Sequence, residues 1–429
     1  MSDQGEGATR FIRSRFTWVA YGLLAFFSYL QSSWGPIMPF LRRDLELSYT
    51  AGGLHTSAFA VGMLVLTLIS YRIGRRWAGS TLFWLSGGIM AAGALGLVLA
   101  PSASWTVGSS LIMGIGGTSL LVMIQATLGR HHGIHAPRAI TEANVLASLS
   151  MGLVALTVSL GETVISGGWR VALLLGPIGW LLLFLLGRRL EVPAETGRVG
   201  PTVAETGRAE RAATEAGHAE PSLTQSDPAA TAPKKERAAP PDRLAVFISW
   251  AVLVIGVGAE WSTAVWTPDF LVAKHGFSPE RAGRWLVLFM VTGGAGRLVM
   301  SRLADRFRPE KLLLGGFVLA ALGTGGFWLL EGTVLLALSL VVAGVGIISI
   351  YPLGVSVAVT TSGNEVERAS SRSTLAAAVA ILLAPQTLGA AADRLGIGAA
   401  FGLTLLIALF GVLLQLAFLH RERDRRVTA

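Results

Sequence analysis

Apolar residues fill this chain in long runs, and the polar residues are gathered into short clusters between them. Twelve runs read as helices: 16–40, 49–70, 80–100, 105–128, 139–164 and 169–186, then 244–270, 283–302, 311–330, 333–359, 373–388 and 398–419. Most approach the roughly 20 residues that cross about 30 Å of hydrocarbon. The eleventh opens on Ala and Ser and carries the weakest pattern. Between the sixth and seventh the pattern stops. Residues 188–243 contain no aromatic side chain and few Leu, Ile or Val, and "AETGR" occurs twice there. Such a segment cannot bury enough apolar surface to offset its ordering entropy, so a disordered linker is predicted. The expected organisation is a tail (1–15), a six-helix bundle (16–187), the cytoplasmic linker (188–243), a second six-helix bundle (244–420) and a short tail (421–429). The fold class is therefore an all-α membrane protein with twelve transmembrane helices.

Composition strengthens that reading. The chain is 52% hydrophobic and 14% charged, with a mean hydropathy of +0.59, whereas soluble domains carry about 25% charged residues. The net charge of +9 comes mostly from Arg between apolar runs, where it sets membrane orientation. No nucleic-acid partner is expected. With both termini inside, about 27 of the 35 Lys and Arg fall on the cytoplasmic side and about seven outside. Both termini are accordingly expected in the cytoplasm, with the chain in the inner or plasma membrane. The first run is too long for the h-region of a signal peptide, about 7–15 residues. Cys is absent, which excludes disulfides and thiolate chemistry.

The two halves look like copies. Leu47-Ser48-Tyr49-Thr50-Ala51-Gly52 opens the second run, and Phe277-Ser278-Pro279-Glu280-Arg281-Ala282-Gly283 opens the eighth. The loop after the second run reads Thr67-Leu68-Ile69-Ser70-Tyr71-Arg72-Ile73-Gly74-Arg75-Arg76, and the loop after the eighth contains Asp305-Arg306. With these features the chain resembles the major facilitator superfamily, whose loop signature is G-x-x-x-D-R-x-G-R-R. The Arg-x-Gly-Arg-Arg part matches, while Thr67 and Tyr71 replace the Gly and the Asp. The resemblance implies two pseudo-symmetric bundles with a substrate site between them. It also implies a cytoplasmic gate at Arg72, Gly74, Arg75, Arg76, Asp305 and Arg306; the competing reading makes these arginines topology anchors only. The family's fourth-helix Arg is Ser110 here, and the fifth-helix Gly-Pro of drug/proton antiporters has no counterpart. "GVGAEWSTAVWTPDFL" looks like sugar- and metabolite-type facilitators, and "GPIMPFLRRDLELSYTAGGLHTSAF" like small-anion permeases related to cyanate uptake.

Ionisable residues inside a bilayer are costly and are functional candidates by default. Glu260 in the seventh run and Arg297 in the eighth are the two good ones. A protonatable carboxyl beside an alternating-access cavity is the simplest device for coupling solute to protons. Against this stand a packing role for Glu260 and a snorkelling Arg297 paired with Asp305. Gln31, Trp34, Trp261 and Tyr351 complete the substrate and proton-coupling set, with Gly256, Gly258 and Pro268 loosening the seventh helix. Glu162, His55 and Asp269 sit near the outer surface, where charge needs no special reason.

Arg130-His131-His132-Gly133-Ile134-His135 supplies three His but no fourth ligand, so no metal is expected. No phosphate-binding loop or hydrolase motif occurs, and neither a cofactor nor an enzymatic activity is predicted. The expected function is proton-coupled secondary transport of a small polar or anionic organic solute by a monomer. The alternatives are proton-driven efflux of hydrophobic compounds, or a non-transporting sensor or scaffold of the same fold.

Overall fold

The computed structural model describes residues 11–74, 79–192, 243–304, 306–361 and 366–428, and every regular element among them is helical. The first half holds α1 (Arg15–Gln31), α2 (Trp34–Leu45), α3 (Tyr49–Gly74), α4 (Gly79–Val98), α5 (Ala103–His132), α6 (Ala136–Val164) and α7 (Gly168–Gly187). The second holds α8 (Arg243–His275), α9 (Pro279–Ala304), α10 (Pro309–Leu329), α11 (Thr333–Thr361), α12 (Val366–Leu395), α13 (Ile397–Ala400) and α14 (Gly402–Thr428).

Ten stretches of the described residues are long and apolar enough to cross a membrane. One of them, Ala103–Val164, has 62 residues and contains both α5 and α6, joined by a 3-10 turn at Gly133–His135. Of the predicted runs, 16–40 breaks into α1 and α2, which together make one crossing, and 398–419 is interrupted near its start, between α13 and α14. The first break has a local cause. Pro36 has no N–H to donate to the Ser32 carbonyl, and the Ser33 hydroxyl turns back onto the Leu30 carbonyl at 2.7 Å. Among the described residues the count is twelve crossings in two bundles of six. An even count returns the described ends, Phe11 and Thr428, to one face, the terminal face; the loops at 46–48 and 276–278 lie on the opposite, far face.

The halves repeat in their geometry. Helices start at Tyr49 and Ala103 in the first half and at Pro279 and Thr333, 230 residues later, in the second. Helices end at Val98 and Val164, and again at Leu329 and Leu395, 231 residues later. The halves meet along two equivalent seams, α3 against α12 and α6 against α9. Exchanging the halves turns one seam into the other. At the far face α2 also packs against α8 and α9. Gly35 permits that approach, because a Cβ there would collide with the Ala264 carbonyl of α8. That carbonyl is the one Pro268 leaves without its helical N–H partner.

Candidate functional site

Glu260 lies deep in the molecule on α8. Its side chain nonetheless keeps 23% of its surface open, and that of Arg297 on α9 keeps 38%. The neighbours of this stretch of α8 show which way it faces. Val257 packs with Ala60 of α3 and with Ala380 and Ile381 of α12, and Met63, Trp261 and Tyr351 lie against the same cluster. Trp261 sits 6.3 Å, ring to ring, from Phe59 of α3. This segment of α8 therefore faces the other half and the α3–α12 seam.

Arg297 is held from two sides. Its Nε donates to the Ile348 carbonyl of α11 at 2.8 Å, and its Nη2 stands 3.8 Å from Glu260 Oε1. The first contact exists because of the sequence four residues on. Pro352 has no amide hydrogen, so the Ile348 carbonyl is left without its helical donor. Gly296 brings α9 close enough, since a Cβ there would stand 2.8 Å from the Val345 Cα. The arginine thus fills a gap in the backbone ladder of α11 with one nitrogen and presents another to a carboxylate.

The expected site residues divide into two groups. Glu260, Arg297, Trp261 and Tyr351 come together. On the first half, Gln31 is half-buried at the end of α1, while Trp34 is only 1% exposed and packs against His55 and Phe59. Of the expected gate, Arg72 and Gly74 lie in the last turn of α3, and Arg306 lies in an exposed turn after α9. Arg75, Arg76 and Asp305 lie outside the described residues. His131 and His132 bond the hydroxyls of Ser14 and Thr17, each at 2.9 Å.

Sequence reasoning missed the far face. Asp269, 4% exposed, forms an ion pair with Arg42 of the other half, whose guanidinium also lies 3.4 Å over the Tyr49 ring. Asp393 of α12 accepts from the backbone N–H groups of Tyr49 and Thr50 at 2.7 and 2.8 Å, capping α3 across the seam. On the second seam, the Ser159 hydroxyl donates to the Glu280 carbonyl at 2.7 Å. Glu162 pairs with Arg43 at 2.8 Å within the first half. The far face is therefore tied shut between the halves. Each of these charges lies at a helix end or, for Asp269, within two turns of one, where charge is unremarkable, and each cross-half partner is far away in sequence; no local pattern marks them.

Known proteins share both the sequence pattern and the shape. The pattern described as the Major Facilitator Superfamily matches residues 21–357 and again 248–429. The uncharacterised transporter YycB of Bacillus subtilis is 23% identical over 352 residues, covering 80% of this chain and 76% of its own. An uncharacterised MFS-type transporter of Yersinia pestis is 26% identical over 164 residues, covering 38% of this chain and 42% of its own. Among solved structures, the nucleoside transporter NupG superposes with a TM-score of 0.70 at 14% identity, covering 94% of this chain and 98% of that one. A bacterial homolog of the human lysosomal transporter Spinster, inward-facing and unoccupied, gives 0.70 at 14% identity, covering 94% and 96%. At these identities the superpositions speak for the fold.

Proposed function

Since this chain belongs to the Major Facilitator Superfamily, we propose that it is a proton-coupled transporter that carries a small polar or anionic organic solute by alternating access. The terminal face is taken as cytoplasmic, as the Lys and Arg count favours. The observation that carries the reading is the pairing of Glu260 with Arg297 at 3.8 Å, with both side chains part-exposed deep in the helical bundle; the reading places an access cavity beside them.

The pair suits coupled binding. Arg297 has its Nε on the Ile348 carbonyl and its outer guanidinium toward Glu260. An anionic group that enters the access cavity competes with the carboxylate for that guanidinium. Glu260 then loses its cation and takes a proton, because an unpaired carboxylate in a dry interior is costly. The solute is held by Arg297, the proton by Glu260, and the loaded site is close to neutral. The apolar walls, including Trp261 and Tyr351, can then close around it. Opening the far face requires the Arg42–Asp269 pair and the Asp393 cap to part, and closure at the terminal face follows.

Proteoliposomes loaded with a pH-sensitive dye, offered in turn sugars, carboxylates and small inorganic anions, test this. The wild type should acidify the lumen with one solute class. Glu260→Gln should abolish the acidification and the proton-driven accumulation of that solute. Undiminished proton-driven accumulation by this variant would remove Glu260 from the mechanism. Acidification on outward rather than inward solute flow would turn the reading to efflux.

A further inference from the structure

A cavity of about 1210 Å³ lies away from the central site, between α1, α4 and α7 at the terminal face. Its mouth is basic and polar. Arg15 and Arg188 line it together with the hydroxyls of Ser80 and Thr81. Both arginines are exposed, and neither forms an ion pair among the described residues. Other arginines of the same face are engaged: Arg13 binds Glu142 at 2.6 Å and Arg308 binds Glu422 at 2.9 Å. Glu191 is the one acidic residue at the rim. Deeper in, the wall changes character to Trp84, Trp180 and Phe184. Trp180 and Phe184 stack at 5.5 Å, and Trp84 meets Phe184 edge-on at 5.4 Å.

The cavity stands where three helices leave the apolar layer: α1 begins at Arg15, α4 at Gly79 and α7 ends at Gly187. Cations at the mouth, hydroxyls beside them and an aromatic wall below match one kind of occupant, an anionic headgroup at the interface with an acyl chain running down the wall. A soluble phosphate would use the mouth and leave the aromatic wall bare. The volume also exceeds the roughly 300–1,000 Å³ of ordinary small-molecule sites. We propose that this groove binds an anionic phospholipid, with Arg15 and Arg188 on its phosphate and Trp84, Trp180 and Phe184 along its chain. Naming the leaflet as cytoplasmic rests on the orientation taken for the transport reading; the binding itself does not.

The experiment is native mass spectrometry of the full chain with phosphatidylglycerol or phosphatidylcholine at equal mole fraction. The wild type should retain at least one tightly held phosphatidylglycerol, with a preference of about fivefold per arginine over phosphatidylcholine. Arg15→Gln/Arg188→Gln should lose that lipid. Arg302→Gln/Arg423→Gln, which removes the same charge elsewhere on the terminal face, should keep it. Equal retention of the two lipids by the wild type, or equal loss in both double variants, would overturn the proposal. Should the first variant fail to fold, photoactivatable phosphatidylglycerol on the wild type decides. Adducts within residues 80–85 or 180–192 support the site, and adducts confined to other segments refute it. None of these readouts involves solute flux, so failure of the transport reading leaves this outcome separate.

Discussion

Pro352 is the residue on which the site geometry turns. Its missing amide frees the Ile348 carbonyl, and that carbonyl holds Arg297 by a 2.8 Å bond. Pro352→Ala restores the competing N–H and improves the helix propensity of α11. Stability should therefore stay level or rise while Arg297 loses its anchor. A hydrogen bond to a charged group contributes about 1.5–3 kcal/mol, so solute flux in proteoliposomes should fall roughly tenfold or more. A thermal unfolding midpoint at or above that of the wild type separates this outcome from misfolding; undiminished flux would show that the carbonyl contact is not needed. Arg297→Lys should be nearly as damaging, because an ammonium is a single point of charge and cannot serve the Ile348 carbonyl and a second group as the planar fork does. At this scale the sequence was informative about Glu260 and Arg297, since charge in an apolar run is rare enough to notice. It was silent on the link between Arg297 and Pro352, because two residues on different helices share no local pattern.

On the proposed mechanism, the elements that must change partners are the ends of α2, α3, α8 and α12 at the far face. There the buried Arg42–Asp269 pair joins α2 to α8, and Asp393 caps α3 from α12. Removing one member of a buried pair leaves the other uncompensated. Since the Arg42 side chain keeps 17% exposure, water softens the loss. A shift of roughly 1–3 kcal/mol, about five- to 150-fold in population, toward the far-face-open state is expected for Asp269→Asn. The chain contains no Cys, so spin labels can be placed at Ser102→Cys and Glu331→Cys, on far-face loops of opposite halves, in an otherwise unaltered background. Electron–electron distances should lengthen in Asp269→Asn, and the charge exchange Arg42→Asp/Asp269→Arg should restore the short distance. Unchanged distances in Asp269→Asn would show that the pair packs the far face without latching it. Hydropathy located the crossings well because it integrates over about 20 residues. It missed the break between α1 and α2, which depends on one proline and one serine hydroxyl within an otherwise apolar run.

For the whole molecule, what was readable was the duplication. Helix ends recur 230 or 231 residues apart, and the repeated Ser-containing turns before α3 and α9 already hinted at this. The access state was not readable, because on the proposed mechanism one sequence serves both access states, and the contacts that would choose between them join residues more than 200 positions apart, as Arg42 and Asp269 do. The linker supplies the remaining test at this scale, and residues 193–242 lie outside the described structure. A transporter needs the linker only as a tether. A Gly/Ser segment of about 50 residues reaches roughly 5–6 Å times the square root of its length, about 40 Å, enough to follow two halves that tilt against each other while sharing two seams. Replacing residues 193–242 with such a segment should leave solute flux within about twofold of the wild type, because the tether imposes no direction on the halves. The sensor or scaffold alternative predicts the opposite pattern. Flux would be undetectable in the wild type, and the Gly/Ser chain would lose a partner protein that the natural linker retains in affinity purification. Both assays use the full chain in membranes, so one preparation separates a machine that moves solute from one that only reports it.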